Sequence, residues 1–140
     1  MAKVGRAIVA VVAGAAVWAL FWLGGTRAGQ AALPDLLRSG QPVTHTGILL
    51  GLIAYSVGLS VVAGYVTAAA GGREPRAALW ALAVLQLTLG IIAEASSWSL
   101  MPVWYHLVFL ALVVPATVYG GVLRTRRAGA GVGGQAVARA

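Results

Sequence analysis

Four side chains in this chain stand out because they are ionisable or carry an amide inside otherwise apolar stretches: His45, Gln86, Glu94 and His106. His45 opens an apolar run, Glu94 lies near the end of the next, and His106 falls in the first turn of the last. If successive runs cross a membrane in alternate directions, these three ionisable groups share one face. From Ala77 to Glu94 a helix climbs roughly 25 Å, and from Leu123 back to His106 about the same, so their depths match within a turn. A carboxylate with two imidazoles has three chemical uses: exchanging a proton, holding a metal, or supplying an axial nitrogen to a porphyrin-type ring through His45 or His106. A metal needs three or four well-placed ligands. The fourth use is structural, with Glu94 bonded to a histidine, to Arg27 or to a Trp indole at the outer end of a bundle. An ionisable group inside a span costs about 2.5–3.5 kcal/mol on insertion scales, so it needs a partner in every case. The structural use is the expectation, with no catalytic residue, metal or cofactor. Gln86 lies eight residues before Glu94 and thus nearly on its face, with Gly90 between, and reads as an interhelical hydrogen-bonding group. His45 shares a helical stripe with Ser56, Ser60 and Thr67, which predicts that it faces inward.

The elements that must position these groups follow from composition. The chain is 60% hydrophobic and 9% charged, far from the roughly 45–50% and about 25% of soluble domains. That is an integral membrane protein, predicted as an all-α bundle of four spans over 7–25, 46–70, 77–97 and 103–123. Together they make a single domain over 1–127. The run from Ala7 to Gly25 exceeds the apolar core of about 7–15 residues typical of a signal peptide, so it reads as a span. GGREPR, from Gly71 to Arg76, is a tight reversal, and Pro75 suits the first turn of the helix that follows. Within 26–45, AALPDLLRSG predicts either a short amphipathic turn at the interface or a loop whose Leu33, Leu36 and Leu37 pack on helix ends. Pro115 should bend the last span, and residues 128–140, basic and glycine-rich, are expected to be disordered.

Packing and orientation can also be read. Gly47 and Gly51 form a GxxxG pair, continued at intervals by Ser56, Ser60, Gly64 and Ala68. Small residues at that spacing let helix backbones approach closely in lipid, which predicts that the second helix is the inner one. Lys3, Arg6, Arg73, Arg76, Arg124, Arg126, Arg127 and Arg139 fall on one side of four spans, and Arg27 and Arg38 on the other. Eight against two places both termini in the cytoplasm by the positive-inside rule. Arg73, Arg76, Arg124, Arg126 and Arg127 then anchor helix ends at the headgroups, where each is worth about 1 kcal/mol near anionic lipid. The net charge of +7 therefore reflects orientation, and no nucleic-acid partner is expected.

Several activities are excluded. The chain has no cysteine, hence no disulfide, thiolate metal site or Cys nucleophile. It has no Walker loop, HExxH helix or nucleophile elbow, and only three acidic residues. An enzyme is not expected.

The segments GYVTAAAGGREPRAALWAL and MPVWYHLVFLALVVPATVYGGVLR, within 64–124, resemble a pattern in small bacterial four-span membrane proteins. In these a G-[YW]-x-x-A block enters a short basic turn and a P-x-W block opens a last helix ending in Pro and Gly-Gly. The resemblance implies a bacterial inner membrane and no particular activity, and it carries over no functional residue. Small multidrug transporters are similar in size but have an essential Glu in the first span, which Ala7 to Gly25 lacks. Double-topology fluoride channels have a weak charge bias, unlike this chain. The expected role is a non-enzymatic structural or accessory subunit of a larger membrane complex, with lipid and other membrane chains or copies of itself as partners. The alternative is a homo-oligomeric small-solute or ion transporter or channel using the Gln86/Glu94 face.

Overall fold

The computed structural model describes residues 2–38, 40–72 and 74–137. They form four helices, α1 (Ala2–Ala32), α2 (Thr46–Gly71), α3 (Arg76–Ser96) and α4 (Val103–Val137), with a single 3-10 turn at Trp98–Leu100. All four helices are long and apolar enough to cross a membrane, over Lys3–Ala32, Thr46–Gly71, Arg76–Ser96 and Val103–Ala128. A span needs about 20 residues, so α1 and α4 are longer than a crossing requires.

Helix ends follow local chemistry. Nothing between Lys3 and Ala32 breaks a helix, so α1 absorbs the basic leader and runs past Gly25 to the residue before Leu33-Pro34. Pro34 disfavours helical geometry at Leu33, which sets the stop. Gly72 ends α2 with φ of 77°, a left-handed conformation that glycine takes without a Cβ penalty. At the far end of α3 the Ser97 N–H reaches the Ala93 and Glu94 carbonyls, each at 3.2 Å, and the Ser96 and Ser97 hydroxyls donate to Ala93 O at 2.7 Å. In the connection between α1 and α2, the Leu36 and Leu37 N–H groups donate to the Leu33 carbonyl in one turn, without an amphipathic helix. Of its three leucines, Leu33 and Leu36 are exposed, and Leu37 packs beside Val43 and Met101. The Val43 N–H donates to Leu100 O at 2.8 Å and ties this connection to the 3-10 turn.

Two expectations are corrected here. Residues 128–137 continue α4 as helix where the sequence predicts disorder, and residues 138–140 of the expected tail lie outside the described residues. Gly47 and Gly51 do not pack helices within this chain: both are exposed, and nothing but His45 lies near them. The buried face of α2 carries Leu49, Ile53, Ser56, Ser60, Gly64 and Thr67. Gly47 and Gly51 are each two residues from that row, about 200° around the helix.

α2 is the hub. It packs most extensively on α4 and then on α1, and only slightly on α3, its neighbour in sequence. Short connections do make α3 and α4 an antiparallel pair, but the larger interface joins α2 to α4, which run parallel. Their first turns meet through Leu49, Ile53 and Tyr105. Further along, a Cβ on Gly64 would overlap the Thr117 carbonyl and one on Gly120 would overlap the Val61 carbonyl. Backbones touch there because both residues are glycine. Gly14 plays the same part on α1, where a Cβ would strike Thr67 and Ala63. Trp18, Leu59, Ala63 and Leu82 close the centre of the bundle.

Candidate functional site

α3 buries a face at Leu79, Leu82, Gln86, Gly90 and Glu94, the spacing of one helical stripe. That stripe lies on α4: a Cβ added to Gly90 would come within 3.3 Å of Leu110 and Phe109. The short return through Pro102 then places His106, in the first turn of α4, opposite Glu94. His106 is fully buried and Glu94 is 5% exposed. The Glu94 Oε2 and the His106 Nδ1 are in hydrogen-bonding contact. The other ring nitrogen, Nε2, lies 3.2 Å from Met101 O and 3.3 Å from Trp98 O. Carbonyl oxygens only accept, so Nε2 carries a hydrogen. The proton between Nδ1 and Oε2 then has two homes, giving either an imidazolium beside a carboxylate or a neutral imidazole accepting from a carboxylic acid. Net charge is zero both ways.

Aromatic rings enclose the pair. The Trp98 ring stacks on His106 at 4.5 Å and 13°, a placement that favours the imidazolium through its π face. Tyr105 meets His106 edge-on at 5.8 Å and stacks on Phe109 at 6.2 Å. Glu94 and Tyr105 also border a cavity of about 280 Å³ under the α1–α2 connection, whose walls include Trp22, Leu37 and Met101.

His45 is not part of this cluster. It is exposed at the N-cap of α2, with φ −72° and ψ 109°, and its carbonyl accepts the Ile48 and Leu49 N–H groups at 3.0 and 3.2 Å. Because it precedes the helix in extended geometry, the phase of Ser56 and Ser60 does not extend to it. The trio is therefore a pair. Axial ligation by His106 would require breaking a bond that each of its nitrogens already makes.

Gln86, 1% exposed, faces Thr117 of α4. The Thr117 hydroxyl lies 2.5 Å from Gln86 Oε1 and 2.9 Å from Val113 O, and its single proton serves one acceptor at a time. In this orientation Gln86 Nε2 has no partner among the described residues. Turning the amide by 180° lets Nε2 donate to Thr117 while Thr117 donates to Val113, so both hydrogen bonds are made. Thr117 and Trp98 are the residues that sequence reasoning passed over. Thr117 had a signal, since it is a polar group within a turn of Gln86 in depth. Trp98 had none, because it reads as an interfacial tryptophan like Trp104, and both are exposed.

Ser56, Ser60 and Gly64 are buried on α2, as a packing stripe requires. Among the anchors, Arg76, Arg126 and Arg127 are exposed, Arg124 is half-buried, and Arg73 lies outside the described residues. Arg6 Nε donates to Ala70 O at 3.3 Å, and Lys3 is 3.9 Å from Glu74 on the open surface. No family model, curated protein or solved structure matches this chain.

Proposed function

We propose that this chain is a non-catalytic, multi-pass protein of the bacterial cytoplasmic membrane, with both termini in the cytoplasm, that serves as a structural or accessory subunit of a larger membrane assembly. The observation that carries this proposal is the state of the Glu94–His106 pair. Nδ1 and the facing carboxylate oxygen tie α3 to α4, and Nε2 is held by two carbonyls of the α3–α4 connection, which leaves the imidazole no open position for a substrate. A general base has to be within reach of the proton it takes, and His106 is fully buried. The Gln86/Glu94 face is likewise turned to α4 of the same chain, which disfavours its use as a contact between copies. Support for the orientation comes from the charges, since Lys3, Arg6, Arg76 and Arg124 all lie at the end where α1 and α3 begin.

The native mass after mild extraction from its own membrane tests this. An assembly containing other chains is expected. A simple multiple of 14.2 kDa with no foreign chain would overturn it in favour of a self-assembled carrier. In that case, altered flux through liposomes on Glu94→Gln would assign the pair to the path.

A further inference from the structure

We propose that the crevice between Arg6 and Arg124, at the end of the bundle that carries both termini, binds a phosphate-bearing anion. The crevice has a volume of about 420 Å³ and is walled by Arg6 of α1, by Ala68, Ala69 and Gly72 at the end of α2, and by Arg124 and Thr125 of α4. Arg6 and Arg124 border one space, and among the described residues no carboxylate does. Like charges sharing a crevice repel, and a bound anion relieves that repulsion.

None of the chain's three acidic side chains lines this crevice. Glu94 is bonded to His106 at the opposite end, and Asp35 lies in the connection beyond α1, also at that end. Glu74 lies 3.9 Å from Lys3 on the open surface, in a neighbouring crevice that Arg6 also borders, and it does not line the space between Arg6 and Arg124. The C-terminal carbonyls of α2 offer partial compensation, but a helix end carries only roughly half a negative charge. Arg6 already takes up that role through its Nε bond to Ala70 O, and its terminal nitrogens remain. Arg124 has no hydrogen-bond or ion-pair partner among the described residues.

The shape of α2's end supports the same conclusion. Gly72, at φ 77°, lets the chain turn against the Arg6 guanidinium, and a Cβ there would sit 2.8 Å from Arg6 Cζ. The Arg6 guanidinium thus lies against the end of α2. Two planar guanidinium forks match phosphate oxygens better than two ammonium groups would. Basic pockets between helices on the cytoplasmic side are the places where anionic headgroups dock. A lipid headgroup and free phosphate offer the same chemistry to this crevice.

The test uses the full-length protein, delipidated in mild detergent and followed by native mass spectrometry. It is titrated with dioleoylphosphatidylglycerol, with dioleoylphosphatidylcholine and with inorganic phosphate. One phosphatidylglycerol adduct is expected, formed in preference to phosphatidylcholine. Arg6→Gln or Arg124→Gln should weaken it about fivefold each, while Arg27→Gln, at the opposite end of the bundle, leaves it unchanged. Displacement by millimolar phosphate would support the site with free phosphate as an occupant; a lipid adduct that phosphate does not displace would support it with lipid as the occupant. Because the arginine variants also alter the end of α2, Ala69→Glu provides a second check, placing a carboxylate in the crevice with both arginines intact. It should abolish the adduct. Equal weakening by Arg6→Gln, Arg124→Gln and Arg27→Gln would overturn the proposal in favour of diffuse attraction, and so would an adduct that survives Ala69→Glu.

Discussion

Glu94 and His106 share one proton between two atoms, and the neighbourhood is built so that neither atom has another partner to turn to. Removing one side therefore differs from replacing it. His106→Ala leaves a buried carboxyl without its partner and should cost about 3–5 kcal/mol. Glu94→Gln keeps the shape, and its amide N–H can donate to Nδ1 while Nε2–H stays on the carbonyls, so its cost should be about 1 kcal/mol or less. Equilibrium unfolding in mixed micelles distinguishes the two variants. Equal losses would show that the ionic form of the pair, and not the hydrogen bond, holds α3 to α4. For Thr117→Val the expected loss by the same measurement is about 0.6 kcal/mol and at most about 1.7 kcal/mol, the range found for single interhelical hydrogen bonds in membranes. A larger loss would assign Gln86 a wider network.

Among the elements, the α2–α4 contact matters most because it is made by backbone. Gly64 and Gly120 each face a carbonyl of the other helix, so any side chain at either position pushes the helices apart. Gly64→Val should destabilise by about 1–3 kcal/mol or more. Gly51→Val, on the exposed face of the same helix, should stay within about 0.5 kcal/mol. If the order of the two were reversed, the assignment of the buried face would be wrong. The final stretch of α4 lies at the other extreme. Between 128 and 137 it contains four glycines, each costing about 1 kcal/mol relative to alanine in a helix, and no apolar stripe offsets them. Its amides should exchange with solvent well before those of 106–120 in a hydrogen-exchange experiment. Equal protection would require a binding partner for this segment.

At the scale of the whole molecule, charge and topology agree. The basic residues gather where α1 and α3 begin and α2 and α4 end, while the Glu94–His106 pair and its cavity occupy the opposite end. Since the chain has no cysteine, a single introduced thiol reports on one position only. Ser99→Cys should react with a membrane-impermeant maleimide from outside intact cells, and Ala77→Cys only in inverted vesicles. The opposite pattern would reverse the orientation and place the arginine crevice outside.

How far these features were legible depends on whether they are local. Four apolar runs of spanning length, the reversal after Gly71 and the need of Glu94 for a partner follow from residue types along the chain, because insertion cost and helix breaking act over a few residues, whereas the first run reads as ending at Gly25 and its helix continues to Ala32. The partner itself does not follow: His45 and His106 were equal candidates by depth. Only the packed bundle separates them, since His106 lies within α4 facing α3 while His45 sits outside the helix it caps. The small-residue stripe divided in the same way. Spacing alone groups Gly47 and Gly51 with Ser56, Ser60 and Gly64, but a helix has two sides, and which side is covered depends on where α4 and α1 lie. The sequence by itself thus determined the elements and the surplus of positive charge at one end. The tertiary structure decided which groups that are distant in sequence meet, because a close approach such as Gly64 to Thr117, or an exclusive pair such as Glu94 with His106, is a property of two helices together.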